Sequence, residues 1–484
     1  MNSTYLKQLE KLKKTEIPLI LKNFKKNFKV LLVYPNSYYI GMSNLGFQTI
    51  YKVLNSHSEI SCERAFLPEF KVKPVSFETN TFPEFFDIII FSISFEIDFF
   101  NVLTFLKLSG FPLYKDERKN LPVIAAGGIA VTLNYKPLSK FLDYFLIGEG
   151  EELIVKFVEQ IITGGNPLNI DGVIGEEKEE SKRICSDKIA HSIFSTKFTE
   201  FSDTFLIEIA RGCKYSCNFC AASYNYSPYR IHRFNELKDV MNKYLKFFNK
   251  AGIVGSTVTS HPDFIKICSY LNNRNIPFSV TSLRLDSVSF EILDSLIAGK
   301  NRTFTVAVEA ATDSLRSKIN KKLTTEQIFE AISMFIEKKI INLKFYFIIG
   351  LPFESFDDVK EIVAFMEKVR NCYLNKKYFL KHLGRFIISI NPFIPKANTP
   401  FYEYPMESEF ILLKKLKFLK NNLKKIPNIQ VKFENIYSAY TQGLFSKGDE
   451  NIDRLIYLSV DKKLKFKPFF SKNIEVFKFY KVIQ

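Results

Sequence analysis

Tryptophan is absent from the 484 residues, although phenylalanine occurs 50 times and tyrosine 23 times. The basic excess, 68 lysines and arginines against 51 acids, comes mainly from lysine and leaves a formal charge of +17. A biased genome accounts for that usage about as well as function does. The charge permits an anionic partner such as RNA, yet lysines scattered over every segment more often make solvated faces than a nucleic-acid site. Cysteine is scarce too: seven in a chain of this length, three of them in one loop, do not make a disulfide framework and suit a reducing, cytoplasmic compartment. Long apolar runs are missing. The closest, Ile88 to Phe95, is flanked by Asp87 and Glu96 and suits a buried strand rather than a membrane span, which needs about eighteen uncharged residues. Met1 to Lys29 has lysines and scattered leucines but neither the continuous apolar core nor the small-residue cleavage site of a signal peptide.

What is present divides the chain. A length of 484 with 46% hydrophobic residues predicts two or three domains. Residues 1–29 read as a basic lead-in. From 30 to 162, apolar strand candidates (29–34, 65–67, 87–94, 122–126 and 144–147) alternate with helical stretches, which predicts an α/β, doubly wound (Rossmann-like) parallel sheet with its ligand edge at the strand C-termini. Two loops on that edge, Gly127-Gly128 and Gly148-Glu149-Gly150-Glu151, directly follow strands, where glycine lets a ligand approach or simply makes the turn. Residues 163–200 read as a linker with a small hairpin. From 201 to 425 the alternation resumes for six rounds, with strands near 205–209, 252–256, 278–282, 303–308, 342–349 and 386–390, the count of a partial (β/α)6 barrel. Residues 426–484 form a C-terminal extension.

The first barrel strand empties into Arg211-Gly212-Cys213-Lys214-Tyr215-Ser216-Cys217-Asn218-Phe219-Cys220. Three thiolates at this spacing can each ligate one iron of a cubane cluster, because soft sulfur suits iron and a short loop wraps one face. No fourth cysteine lies nearby to close the site. A chance cluster, a zinc loop and a redox trio are the competing readings.

The loop resembles the signature of the radical S-adenosylmethionine (SAM) superfamily, including the aromatic Phe219 before the third cysteine. That resemblance implies a 4Fe–4S cluster on Cys213, Cys217 and Cys220, SAM on the open iron, and release of a 5'-deoxyadenosyl radical that abstracts hydrogen. It also assigns roles to the other strand ends: Gly255 and Ser256 in a turn against the methionine part of SAM, Ser282 and Arg284 after the third strand, Glu309 on the ribose hydroxyls, and Gly350 and Leu351 against adenine. For Glu309 an ion pair with Arg316 or Lys318 is the competing reading.

Asn391 to Phe401 resembles the Phe-x-Pro-Lys-x-x-Thr-Pro-Phe stretch of an uncharacterised radical SAM family with an N-terminal cobalamin-binding-like domain, and of the methylthiotransferases. Where relatives often show histidine this chain has Asn398. Gly41 to Gly46 and Gly443 to Asp449 match further segments of that family. The resemblance makes Gly127, Gly128, Gly148 and Glu149 candidates for lining a corrinoid site, but Asn36 to Asn44 lacks the cobalt-ligating histidine, so histidine-off cobalamin and no cobalamin both stay open. A methylthiotransferase would need a second cluster, and the N-terminal domain offers only Cys62. The expectation is a cytoplasmic enzyme without a membrane partner that draws electrons from flavodoxin or ferredoxin and modifies a small molecule, RNA or protein. The alternative is a non-catalytic iron–sulfur electron carrier or zinc-stabilised RNA-binding module.

Overall fold

The computed structural model describes residues 3–20, 27–376, 380, 383–462 and 465–483. Residues 1–2 and 21–26 of the expected lead-in, 377–379 and 381–382 of the expected barrel, and 463–464 and 484 of the expected extension lie outside the described residues. The chain forms two compact units: Met1–Ile207 with Tyr244–Phe248 and Gly448–Phe469, and Glu208–Lys243 with Asn249–Lys447 and Phe470–Gln484. Among the described residues no helix is long and apolar enough to cross a membrane.

In the first unit the strands β1 (Phe28–Tyr34), β2 (Ile60–Phe66), β3 (Ile88–Ser92), β4 (Val123–Gly127), β5 (Tyr144–Leu146) and β6 (Val173–Ile174) lie in the order β2-β1-β3-β4-β5-β6. All neighbours are parallel except the antiparallel β5–β6 pair. Val30 to Val33 and Ile88 to Phe91 are at most 2% exposed, as expected of central strands covered on both faces. The order reverses between β1 and β3, which makes their C-terminal ends the natural crevice of the sheet.

Two segments expected outside this domain belong to it. In the lead-in, helix Ser3–Thr15 buries Tyr5 and Leu9, and Glu16 holds the fully buried Arg64 at 2.6 Å while Glu78 holds it at 2.8 Å. Arg64 also lies 4.0 Å from the Phe194 ring. The expected linker supplies β6, and its Phe194–Ser195 pairs antiparallel with Ile17–Pro18. The helical character of the lead-in is legible in its sequence, but its place is not, because the contacts that fix it, the Arg64 ion pairs and the pairing with Phe194–Ser195, join residues remote in sequence. From the C-terminal extension, Gly448–Phe469 joins the same unit: Asn134 Nδ2 donates to Gly448 O at 2.7 Å and Phe100 meets Phe469 edge-on at 5.3 Å.

The chain reaches the second unit along β7 (Thr204–Glu208). There β8 (Lys250–Val254) and β9 (Phe278–Val280) pair in parallel. A four-stranded parallel sheet follows, β10 (Phe304–Glu309), β11 (Leu343–Ile349), β12 (Phe386–Pro392) and β13 (Ile429–Phe433). Leu283 N donates to Thr305 O at 2.8 Å and bridges to Val306, continuing the arc from β9 to β10. No pairing among the described residues returns β13 to the start, so the barrel is open. The unexpected strand is β13, whose residues alternate between half-buried and exposed.

The glycine loops of the first sheet serve the fold. Gly128 has φ +107°, and a Cβ there would run into the Ile93 carbonyl; Gly148, also at φ +107°, has the Ile184 backbone in the same place. Gly110, at φ +81° behind helix Phe99–Ser109, has open space around it. Gly128→Ala is therefore expected to cost about 3 kcal/mol, from backbone strain plus a clash that cannot relax. Gly110→Ala should cost about 1 kcal/mol. Denaturant titration of the two variants checks the difference, and equal losses would refute it.

Candidate active site

The cysteine loop begins at Gly212, whose φ of +80° and contact with the Tyr226 carbonyl leave no room for a side chain. Cys217 is 6% exposed, while Cys213 and Cys220 are half-buried. Burial pushes the Cys217 thiol up to about 11, against the opposing charge of Lys321 and then, after Cys220, of Arg284. A redox or nucleophilic thiol needs a lowered pKa, so the raised value speaks against that role for Cys217 on its own, and a thiol used as a metal ligand would lose its proton to solvent as the metal binds. Cys268 is more strongly affected, to about 12, purely by burial. Among the described residues no three His, Cys, Asp or Glu converge on a single ion. A cubane asks instead that each thiolate reach its own iron.

Asn218, between the second and third cysteines, anchors the loop. Its N–H donates to Ile319 O and its side-chain amide to Lys318 O, both at 3.0 Å, and its carbonyl accepts from Phe401 N at 3.1 Å. Asn320 Nδ2 donates back to Ser216 O at 2.6 Å. Phe219 packs on a small core of Ala310, Leu315, Ile319, Leu351, Phe393 and Phe401. The loop therefore rests on segments that follow β10, β11 and β12. Asn398, where relatives show histidine, donates to Asn225 Oδ1 at 2.8 Å and so braces the helix Ala221–Asn225 after the third cysteine.

Of the expected strand-end residues of this unit, Arg284 and Glu309 are close enough to act on the Cys217 thiol and Leu351 shares the core of Phe219. The Gly255 carbonyl accepts from Thr281 Oγ1 at 3.0 Å, and Ser256 follows it. Next to them Thr257 Oγ1 and Tyr229 OH are buried and close enough for the threonine hydroxyl to act on the phenol, yet neither completes a well-formed hydrogen bond among the described residues, and Tyr229 is close enough to Cys213 for a charge there to act on it too. Two unsatisfied hydroxyls beside a cysteine loop are what a polar ligand would complete. Ser282 is half-buried. Arg284, 8% exposed, stacks 3.5 Å from the Tyr215 ring centroid, pairs with Asp286 at 2.8 Å and donates to Lys322 O at 2.9 Å.

Glu309 ends β10 at φ +67°, where the pairing with β11 slips by one residue. Its cation is neither Arg316 nor Lys318: Lys321 Nζ lies 3.5 Å from Glu309 Oε1. Arg316 is spent on Asp313 and the carbonyls of Ala310, Ala311 and Leu323. Gly350, at φ +73°, donates its N–H at 2.7 Å to Glu354, whose side chain is 2% exposed. Burial raises that carboxyl to about 7 even though Lys415 sits 2.7 Å away and also holds Glu407 at 2.7 Å. Leu351 follows in the small core described above. Thr257 belongs to the expected turn at 254–257, whereas Tyr229, Lys321 and the Glu354–Lys415–Glu407 group escaped the sequence reading, because the groups they face are remote in sequence.

In the first unit the candidates divide. Gly127 and Gly128 end β4 and make its turn, while Gly148 and Glu149 hold the expected linker: Glu149 N donates to Ile184 O at 2.9 Å and its carboxylate accepts from Ser186 N at 2.6 Å. At the β1–β3 crevice, Asn36 and Asn101 both donate to the buried Asp98, at 2.9 and 2.7 Å, and burial raises that carboxyl to about 6.

Fold and site together define an open α/β-barrel enzyme that carries an iron–sulfur cluster. Residues 46–167 match the family model described as radical SAM proteins, N-terminal, and residues 207–366 that of the radical SAM superfamily. The chain belongs to the radical SAM superfamily, and its cofactors are a 4Fe–4S cluster and SAM. It is 28% identical over 449 residues to an uncharacterized protein of Methanocaldococcus jannaschii, covering 90% of this chain and 91% of that one. It is 22% identical to the ribosomal protein uS12 methylthiotransferase RimO of Clostridioides difficile, over 66% of this chain and 74% of that one. Among solved structures it resembles the radical SAM methyltransferase TsrM of Kitasatospora setae with cobalamin and a [4Fe–4S] cluster bound (TM-score 0.57, 14% identity, 77% of each chain). It also resembles the cobalamin-dependent radical enzyme OxsB with aqua-cobalamin and SAM bound (TM-score 0.53, 16% identity, 94% of this chain and 72% of that one). These two likenesses show the fold.

Two outcomes follow from the geometry. Alanine at Cys213, Cys217 or Cys220 should abolish stable cluster incorporation after anaerobic reconstitution, while alanine at Cys185, Cys268 or Cys372 should leave iron and sulfide content unchanged; full iron content in the triple loop variant would refute the ligand set. The raised Glu354 carboxyl means that the folded protein binds a proton which the unfolded chain releases, so its contribution to stability falls as pH rises from about 4.5 to 7. Glu354→Gln should flatten that part of the stability–pH curve, measured by thermal unfolding.

Proposed function

We propose that this enzyme holds its cluster on Cys213, Cys217 and Cys220, cleaves SAM reductively and starts a radical modification of a second substrate, working in the cytoplasm with flavodoxin or ferredoxin as electron donor. The observation that supports it best is the Asn218-anchored cysteine loop, with Cys217 buried and Lys321, Arg284 and Glu309 close enough to act on its thiol. When bound, the cluster supplies the electron that breaks a carbon–sulfur bond of SAM. The chain's own residues orient SAM in this reading: the Gly255-Ser256 turn and the two unsatisfied hydroxyls take its polar end, Glu309 accepts from the ribose hydroxyls, Gly350 and Leu351 pack on adenine, and Ser282 and Arg284 close the side beside Tyr215. Cys62 is fully buried and its thiol is raised by that burial, which argues against a second cluster and so against methylthiotransfer.

A second reading, cobalamin-assisted methyl transfer, draws on the bound cobalamin of TsrM and OxsB. The order of the first sheet and the polar crevice of Asn36, Asp98 and Asn101 favour it. The glycine loops do not fit it, since Gly128 and Gly148 face backbone of the same unit and Glu149 is engaged by Ser186. Hydroxocobalamin titration followed by gel filtration separates the readings: retained corrinoid supports methyl transfer, and its absence at tens of micromolar leaves the sheet as a scaffold.

Glu309→Gln keeps the shape but weakens charge-assisted hydrogen bonds, each worth about 1.5–3 kcal/mol. SAM affinity should fall at least about tenfold with cluster content intact, measured by equilibrium binding to reconstituted protein. Unchanged affinity would make Glu309 a structural partner of Lys321.

A further inference from the structure

The cluster of any such enzyme must receive electrons from outside, and one patch of the second unit lies directly over its loop. Phe353 is 55% exposed although phenylalanine is strongly apolar, and its φ of +69° makes it the sole aromatic residue in the left-handed region among the described residues. A bulky side chain held there is strained unless its position serves something. Its ring lies 5.4 Å from that of Tyr404, which is 38% exposed, and 6.3 Å from that of Phe401. Phe401 is buried in the same small core as Phe219, and its N–H donates to the Asn218 carbonyl, next to Cys217. The route from solvent to the cysteine loop is therefore two aromatic rings and one hydrogen bond deep.

From Phe410 to Phe433 the charge beside the patch has one sign, with seven lysines and no acidic residue. Lys415 is buried with its carboxylates, whereas Lys414, Lys417, Lys420, Lys424 and Lys425 are exposed and make no ion pair among the described residues. Lys414 Nζ lies 5.4 Å from the ring of Phe356, three residues after Phe353. Of the acids on the patch side, Asp357 is paired with Lys360 at 2.7 Å, and Glu403 is exposed next to Tyr404, so the basic surface lies to one side of the rings. The same helix also exposes Phe410 and Leu413, at 77% and 44%.

We propose that the Phe353–Tyr404 patch with its lysine rim is the docking site of an acidic one-electron carrier protein, through which the cluster is reduced; this rests on the radical SAM reading above. One electron leaves the carrier's reduced flavin, which becomes the semiquinone, and enters the cluster, whose charge falls from 2+ to 1+. Apolar rings exclude water at the contact, and the lysines steer an acidic partner, so the association slows as salt rises.

The test is anaerobic stopped-flow reduction of the reconstituted full chain by flavodoxin hydroquinone, by reduced ferredoxin and by dithionite, in wild type, Phe353→Gly, Tyr404→Ser and Lys414→Glu/Lys417→Glu. Reduction by at least one carrier should slow by about tenfold or more in the variants and, in wild type, with added salt. Iron content and the dithionite rate should stay unchanged, which separates docking from folding. Carrier rates equal to wild type in all variants, or a wild type that neither carrier reduces although dithionite does, overturn the proposal. A wild type that holds its cluster but cleaves no SAM even with dithionite overturns the underlying reading instead.

Discussion

Asn218 is the residue on which the site depends. A loop with three cysteines has few apolar contacts of its own and would be pushed apart by their charges, so its shape must come from neighbours. The N–H, carbonyl and side-chain amide of Asn218 are spent on two segments: the N–H on Ile319 and the amide on Lys318 after β10, the carbonyl on Phe401 after β12. A hydrogen bond of this kind contributes about 1 kcal/mol net, but an unmade buried one costs more, so the three together select one loop conformation. They also register the loop against the residues after β10 and β12, which is how groups from distant parts of the chain come to face the same cysteines.

That registration is strained at the strand ends. Asn320 and Asn398 take positive φ at little cost, because asparagine tolerates the left-handed region. Glu309 and Phe353 do not, and about 1–3 kcal/mol each is stored there. The surroundings offset it differently. Glu309 gains Lys321, whereas the turn before Phe353 is held by the Gly350 N–H on the buried Glu354, itself anchored by Lys415. Removing either support would let the backbone relax away from the conformation that presents the side chain.

Much of this was legible in the sequence. Strands such as Val30–Tyr34 and Ile88–Ser92 are near-continuous apolar runs, which only a doubly covered parallel sheet accommodates, and the cysteine spacing pointed to a cluster before any geometry. What escaped has physical causes. The strand β13 alternates weakly at a sheet edge, and Phe194 pairs across more than a hundred residues with Ile17–Pro18, so neither leaves a local period. Gly128 and Gly148 suit either a ligand's approach or a plain turn, since a glycine looks the same in either case, and the carbonyls of Ile93 and Ile184 beside them favour the turn. The partner of Glu309 was sought on the next helix turn, while the chain's own turn at Asn320 carries Lys321 back to it.

The distribution of charge separates the interior of the second unit from its surface. The buried cations near the cysteine loop bring carboxylates: Arg284 with Asp286, Lys321 with Glu309, and behind the Gly350 turn Lys415 with Glu354 and Glu407. Buried charges left alone would cost several kcal/mol each, so pairing is the condition for having them there at all. The exposed lysines from 414 to 425 need no such partner, because water solvates them. An excess that is neutralised wherever the protein is dry and left open on one wet helix face is not an even wash of lysine over the surface, and that asymmetry gives part of the +17 charge a place, and hence a direction, on the molecule.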